Sequence, residues 1–190
     1  MKGIIFNAVE EAVVSLYSEE VWDDLIDAAG VTGEYTSLGD YDDADLFALV
    51  TAASSMTGIE AIELVKVLGR HSFDPLAKRY SYLIDEAKGT LEFLRTVNDI
   101  IHPEVLKLHP NARPPSFEFE ERENDILRVT YRSERKLGVL AQGLIYGAAD
   151  RFGETVTVDV VSGLGDEVAV FDVSVEQAAA ALGERDRNAA

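Results

Sequence analysis

The chain has 190 residues, of which 47 % are hydrophobic, and its 35 acidic against 17 basic side chains give a formal net charge of −18. This composition predicts a folded domain, whereas the charge opposes binding to nucleic acids and to anionic membranes. The absence of cysteine excludes disulfides and Cys-ligated metals, and no apolar run reaches the roughly 20 residues of a membrane span, so we expect a cytoplasmic protein.

The first half of the sequence has the periodicity of amphipathic helices. The segment IIFNAVEEAVVSLY predicts a first helix, and Ser18 predicts the start of a second, which ends at Gly30. The apolar residues of the first helix fall on one stripe, which contains Ile5, Val9, Ala12, Val13 and Leu16.

An aspartate cluster precedes the third predicted helix. Asp40, Asp42 and Asp43 lack the remaining ligand spacing of a calcium loop, so we interpret Asp42 or Asp43 as a helix cap. That helix ends at Gly58, and the segment GIEAIELVKVLGRHSF predicts a fourth helix that breaks near Pro75.

The middle of the chain predicts one long helix before strands begin. Strands SFEFEE and DILRVTYRS then flank a turn at Asn124 and Asp125, and a helix follows that ends at Gly153. The long helix, KGTLEFLRTVNDIIHPEVLKL, places these residues inside: Leu91, Leu94, Ile101, Val105 and Leu108.

The last part of the chain predicts a hairpin of TVTVDVV and EVAVFDV around SGLGD, and then a short helix in EQAAAALGERDRNAA. Because no repeat or linker interrupts the chain, we expect a single domain over residues 1–190 of the α+β class. A helical lobe over about 1–85 packs on a lobe over about 86–190, which contains the long helix and a small antiparallel sheet with one inserted helix.

Motifs for catalysis are missing from the sequence. The three histidines, His71, His102 and His109, form no metal-binding pair at i and i+4, and there is no GxSxG turn, P-loop or dinucleotide-binding loop. We therefore expect a binding protein and not an enzyme.

Three hydrogen-bond donors stand at alternate positions at the end of the second strand: Tyr131, Ser133 and Arg135. Alternate side chains share one face of a strand, and upstream this face has Leu127 and Val129, so the three donors should continue the interior face. Such a set suits a ligand with carboxylates or phosphates. Ser133 alone has an alternative role, which is to cap the following helix.

A single histidine lies at the edge of the apolar stripe of the long helix. His102 is the one histidine that we expect on the interior face, where on its own it is typical of a partly buried, hydrogen-bonded residue. Pro103 has no backbone N–H, so the helix should kink or restart there, and the residues RPP at 113–115 form a rigid connection to the sheet. Together with a carboxylate-binding strand, His102 indicates a heme site, because histidine ligates heme iron.

These residues resemble the H-NOX (heme-nitric oxide/oxygen binding) family, which includes the heme domain of soluble guanylate cyclase and stand-alone bacterial sensors. The resemblance extends from MKGIIFN to the C-terminal hairpin and depends on His102, RPP at 113–115 and the family's Tyr-x-Ser-x-Arg pattern. It implies that heme b lies between the two lobes with His102 as the proximal iron ligand. It further implies that Tyr131, Ser133 and Arg135 bind the propionates and that Pro115 presses on the porphyrin, with Ile5, Leu140 and Leu144 as pocket residues.

The resemblance also implies a choice of gas and of partner. Oxygen-binding members have a tyrosine where this chain has Leu140, so we expect binding of nitric oxide and carbon monoxide, release of His102 by nitric oxide, and signalling to a separate histidine kinase or cyclic-di-GMP enzyme. Tyr146 should point away from the pocket, while Ser72 remains a possible polar contact to a bound gas. Two alternatives stay open: an oxygen carrier of the same fold, and a heme-free domain that binds another carboxylate.

Overall fold

The computed structural model describes residues 1–176, in which eight α-helices accompany one four-stranded antiparallel sheet. The predicted helix at the C-terminus lies outside the described residues. The helices are α1 (Gly3–Leu16), α2 (Glu19–Ala29), α3 (Asp43–Thr57), α4 (Ala61–Arg79), α5 (Ser81–Ile84), α6 (Thr90–Thr96), α7 (His102–Leu108) and α8 (Gly138–Phe152). The strands are β1 (Ser116–Arg122), β2 (Ile126–Arg132), β3 (Val156–Ser162) and β4 (Val168–Val175).

The helical lobe begins and ends its helices where the capping residues predict. The Ser18 hydroxyl accepts a hydrogen bond from the backbone of Val21, and the Asp42 carboxylate accepts one from Ala44 at 2.9 Å. Gly30 ends α2 in the left-handed conformation with φ of 68°, which glycine adopts without a steric penalty. The predictions for α2 and for the start of α3 are therefore confirmed.

Two details of the helices differ from the prediction. Helix α4 continues through Pro75 instead of breaking there, because Phe73 and Ala77 on either side are buried in the core and packing outweighs the lost backbone hydrogen bond. Leu16 and Leu108 are 37 % and 53 % exposed, since each is the last residue of its helix and extends beyond the core.

The sheet has the order β1-β2-β4-β3, with every neighbouring pair antiparallel. Asn124 and Asp125 form the predicted turn between β1 and β2, both with positive φ. Leu127, Val129 and Tyr131 of β2 are buried, which confirms the predicted interior face of this strand. The α+β fold class is confirmed.

Helices α4 and α8 cross at very short range, which places the start of α8 against the middle of α4. A Cβ atom added to Gly69 would lie 2.6 Å from the carbonyl oxygen of Leu140 and 3.0 Å from the Cα atom of Gly143. Only glycine allows this approach, and it sets the position of Leu140 and Leu144 relative to α4.

The segment that precedes His102 is a π-helical turn, Val97–Ile101, between α6 and α7. The backbone N–H of His102 donates to the carbonyl of Val97, five residues earlier, and α7 starts at His102. The hydrogen-bond pattern therefore changes beside Pro103, but the backbone of Ile101 and His102 stays in the α-helical region, so the helix does not restart there. The side chain of Asn98 connects this turn to β1, because it donates to the Phe117 carbonyl and accepts from the Phe117 N–H at 3.1 Å.

Within residues 1–176 no single helix is long and apolar enough to cross a membrane, although the bent pair α3 and α4 meets the length and composition criteria together.

Candidate cofactor site

An apolar cavity of about 310 Å³ lies between the helices and strands β1 and β2. Its size is at the lower end of the range of about 300–1,000 Å³ that is typical of small-molecule sites. Helices α1, α4, α6, α7 and α8 and strands β1 and β2 all contribute to its wall. Every residue predicted for the site lines this one cavity: Ile5, His102, Pro115, Tyr131, Ser133, Arg135, Leu140 and Leu144.

His102 is partly buried at the first position of α7, with its ring centroid 5.9 Å from that of Phe117. Burial lowers the pKa of His102 to about 4, against a smaller opposite effect of the Pro115 backbone. The imidazole is therefore neutral at pH 7, which is the form that binds a metal ion.

The Tyr-Ser-Arg motif (Tyr131, Ser133, Arg135) is brought together by a turn as well as by a strand. The prediction that the three donors continue the interior face is confirmed, because Tyr131 is buried, Ser133 and Arg135 are half-buried and all three line the cavity. Only Tyr131 lies within β2, however, since the strand ends at Arg132. Ser133 instead donates its backbone N–H to the Glu167 carbonyl at 2.8 Å, which fixes the start of the turn.

The Ser133 hydroxyl accepts a hydrogen bond from the backbone N–H of Arg135 at 3.2 Å. This bond lies within the turn, since α8 begins later and Leu137, its N-cap residue, makes no side-chain cap. The alternative role of Ser133 as the cap of the following helix is therefore not observed. The phenol of Tyr131 accepts from the Leu137 N–H at 3.2 Å, and burial raises the pKa of Tyr131, which keeps it a neutral donor.

Arg135 is oriented by two contacts from other parts of the chain. Its Nε donates to Asp43 Oδ2 at 2.7 Å and its Nη1 donates to the carbonyl of Arg113 at 2.6 Å. Neither contact uses Nη2. The side chain of Arg135 is 23 % exposed, so its charge is held at the cavity with little access to solvent.

Asp43 does not line the cavity but positions Arg135, a role that the sequence analysis missed because it interpreted Asp42 or Asp43 only as a helix cap. Burial alone would raise its pKa, but hydrogen bonds from the Met1 amino group and from Arg135 outweigh burial and lower the pKa. Asp43 is thus ionised at neutral pH and couples α3 to the turn after β2.

His109 also lines the cavity, so the expectation that His102 is the one interior histidine was wrong. The residue is only 3 % exposed, and its Nε2 lies 3.0 Å from the hydroxyl of Tyr80. The spacing could have indicated this, since residues seven apart on a helix share one face.

The part of the cavity lined by Ile5, Leu140 and Leu144 is apolar. Tyr146 is outside the cavity lining, as expected, and its ring lies 5.8 Å from the guanidinium carbon of Arg70. Ser72 is buried, and its hydroxyl has no hydrogen-bond partner in the described part of the chain, but Ser72 is not among the residues that line the cavity.

The comparison with known families matches residues 2–160 to the Haem-NO-binding family. The chain belongs to this family of H-NOX domains. Members of the family are heme-binding gas-sensor domains, so the heme expected from the sequence agrees with the family.

Solved H-NOX structures have the same fold. An H-NOX protein from Shewanella oneidensis in the Fe(II)NO state is 27 % identical, with a TM-score of 0.85 over 93 % of this chain and 100 % of that chain. The Fe(II) unliganded H-NOX protein from K. algicida is 26 % identical, with a TM-score of 0.81 over 95 % of this chain and 99 % of that chain. The H-NOX from Shewanella woodyi, bound to IWP-051 in the Fe(II)CO state, is 28 % identical, with a TM-score of 0.78 over 95 % of this chain and 97 % of that chain.

Proposed function

We propose that this protein is a heme sensor of nitric oxide, with His102 as the axial iron ligand. The observation that supports this most is that one apolar cavity contains both a neutral histidine and an oriented arginine, on separate elements of the chain. Heme b held by His102 would supply a ferrous iron able to bind a diatomic gas.

We propose that the Tyr-Ser-Arg motif holds the propionates. Asp43 and the Arg113 carbonyl fix Arg135 before a ligand arrives, so little side-chain entropy is lost when Nη2 donates to a carboxylate. Tyr131 and Ser133 add neutral donors at the same end of the cavity. Pro115, which also lines the cavity, presents a rigid ring to the porphyrin face.

The apolar residues Ile5, Leu140 and Leu144 determine the choice of gas in this proposal. Bound dioxygen acquires negative charge and is stabilised by a hydrogen-bond donor, whereas nitric oxide and carbon monoxide acquire much less charge. Position 140 offers no donor, and the Tyr80 hydroxyl, which also lines the cavity, is already paired with His109. Nitric oxide and carbon monoxide are therefore the ligands that we propose.

The signal in this proposal is a movement of α7. With heme bound, nitric oxide would release His102 from the iron, and α7, no longer held by its first residue, would shift relative to β1. The likeness to stand-alone bacterial sensors supports a separate effector, either a histidine kinase or a cyclic-di-GMP enzyme, in the cytoplasm. The net charge of −18 supports partners other than nucleic acids and anionic membranes.

Visible absorption of the purified ferrous protein tests this function. We expect nitric oxide and carbon monoxide complexes and no stable oxygen complex in air. A persistent oxygen complex would favour the oxygen carrier, and failure to take up heme would favour a heme-free domain that binds another carboxylate.

A further inference from the structure

His109 is a buried imidazole that enters the function proposed above only as the partner of the Tyr80 hydroxyl. It directly follows the last residue of α7, seven residues after His102, and both residues line the cavity. Seven residues of helix rise by about 10 Å and return to nearly the same face. His109 therefore lies along the same wall as His102, displaced along the axis of α7.

His109 shares the cavity wall with basic residues. Lys2 and Arg113 line the cavity together with His109 and Arg135. Burial lowers the pKa of His109, Lys2 lowers it further and Asp40 acts in the opposite direction, so the ring is neutral at pH 7. A neutral imidazole has one N–H to donate.

One ring nitrogen of His109 lacks a partner. Nε2 pairs with the Tyr80 hydroxyl at 3.0 Å, while Nδ1 is buried and makes no hydrogen bond to any of residues 1–176. If Tyr80 donates to Nε2, the proton of the neutral ring must be on Nδ1. A buried donor without an acceptor is unfavourable and uncommon in folded proteins, so a ligand that provides an acceptor is the natural partner.

We propose that His109 is a second heme-binding histidine, which donates Nδ1–H to a propionate carboxylate while Tyr80 donates to its Nε2. The inference rests on the proposed heme function and adds a contact from α7 to those of the Tyr-Ser-Arg motif. Tyr80 directly follows α4, and His109 directly follows α7. Hydrogen bonds from Tyr80 to His109 and from His109 to a propionate would therefore join α4, α7 and the cofactor.

The rate of heme loss to an excess of a heme-scavenging protein tests this assignment. His109→Leu, which fills the space without a donor, should lose heme about tenfold faster, equivalent to about 1.4 kcal/mol. His109→Gln keeps an N–H donor and should fall between this variant and the wild type. His71→Leu is the matched control, because His71 is exposed and does not line the cavity, and it should lose heme at the wild-type rate.

Nitrogen-15 NMR of the imidazole in the wild-type ferrous carbon monoxide complex tests the same contact without a substitution at His109. We expect the proton on Nδ1, and we expect Tyr80→Phe to change the Nε2 shift. A proton on Nε2, or equal heme loss by the His109→Leu and His71→Leu variants, would overturn the inference and leave the heme function intact. A wild-type protein that takes up no heme would instead contradict the proposed function.

Discussion

Replacement of Arg135 by alanine is predicted to weaken both the fold and the retention of heme. The substitution removes the bonds to Asp43 and to the Arg113 carbonyl, and it leaves Asp43 with the Met1 amino group as its remaining ionic partner. Loss of a partly buried, charge-assisted hydrogen bond costs about 1.5–3 kcal/mol. We therefore expect a decrease of about 2 kcal/mol in the free energy of unfolding of the heme-free protein, measured by urea denaturation.

Heme retention separates the role of Arg135 in binding from its role in folding. Loss of a comparable bond to a propionate predicts heme loss about 10–100 times faster in Arg135→Ala. Tyr131→Phe should have a smaller effect and Ser133→Ala the smallest, because both remove neutral donors. Arg135→Lys keeps the charge but not the geometry of the guanidinium, so it should be intermediate. Equal rates of heme loss in all four variants would refute the role of the motif in propionate binding.

Three further predictions concern the gas, the proximal segment and pH. Leu140→Tyr should raise oxygen affinity roughly 10–100-fold by a hydrogen bond to bound dioxygen. Oxygen titration of the ferrous protein measures this affinity, and an unchanged value would argue that the apolar residue at position 140 does not control the choice of gas. Asn98→Ala should destabilise the protein by about 1–2 kcal/mol and speed hydrogen exchange of the Phe117 amide, whereas unchanged exchange would show that Asn98 does not anchor β1. Burial lowers the pKa of His102 from 6.5 to about 4. The contribution of His102 to the stability of the heme-free protein should therefore be fully present above pH 6.5 and fall by up to about 3 kcal/mol as the pH falls toward 4. The unfolding free energy of His102→Leu, measured by urea denaturation, should lack this part of the pH dependence. An identical pH profile in His102→Leu and in the wild type would contradict the lowered pKa of His102.

Local patterns of the sequence predicted most of the fold. Ser18 and Asp42 cap helices through bonds to residues two or three positions away, so their role is visible in a short stretch of sequence. The buried face of β2 follows from strict alternation in the same way. The family resemblance then assigned roles to His102 and to the Tyr-Ser-Arg motif, and the structure brings these residues to one cavity.

The features that the sequence did not predict depend on contacts between residues that are far apart in the chain. Asp43 and Arg135 are 92 residues apart, and no local pattern distinguishes Asp43 from its solvated neighbours. The hydrogen bond of His109 is likewise with a distant residue, Tyr80, 29 residues earlier. Helix α4 passes through Pro75 because tertiary packing of its neighbours outweighs the local preference of proline.

Imidazole rescue of His102→Gly tests the assignment of the axial ligand most directly. The variant should not hold ferrous heme stably on its own, and added imidazole should restore the absorption spectrum of the wild-type ferrous protein by filling the space that the side chain leaves. His71→Gly should keep that spectrum without imidazole. A His102→Gly protein whose ferrous spectrum matched the wild type without imidazole would show that another residue binds the iron.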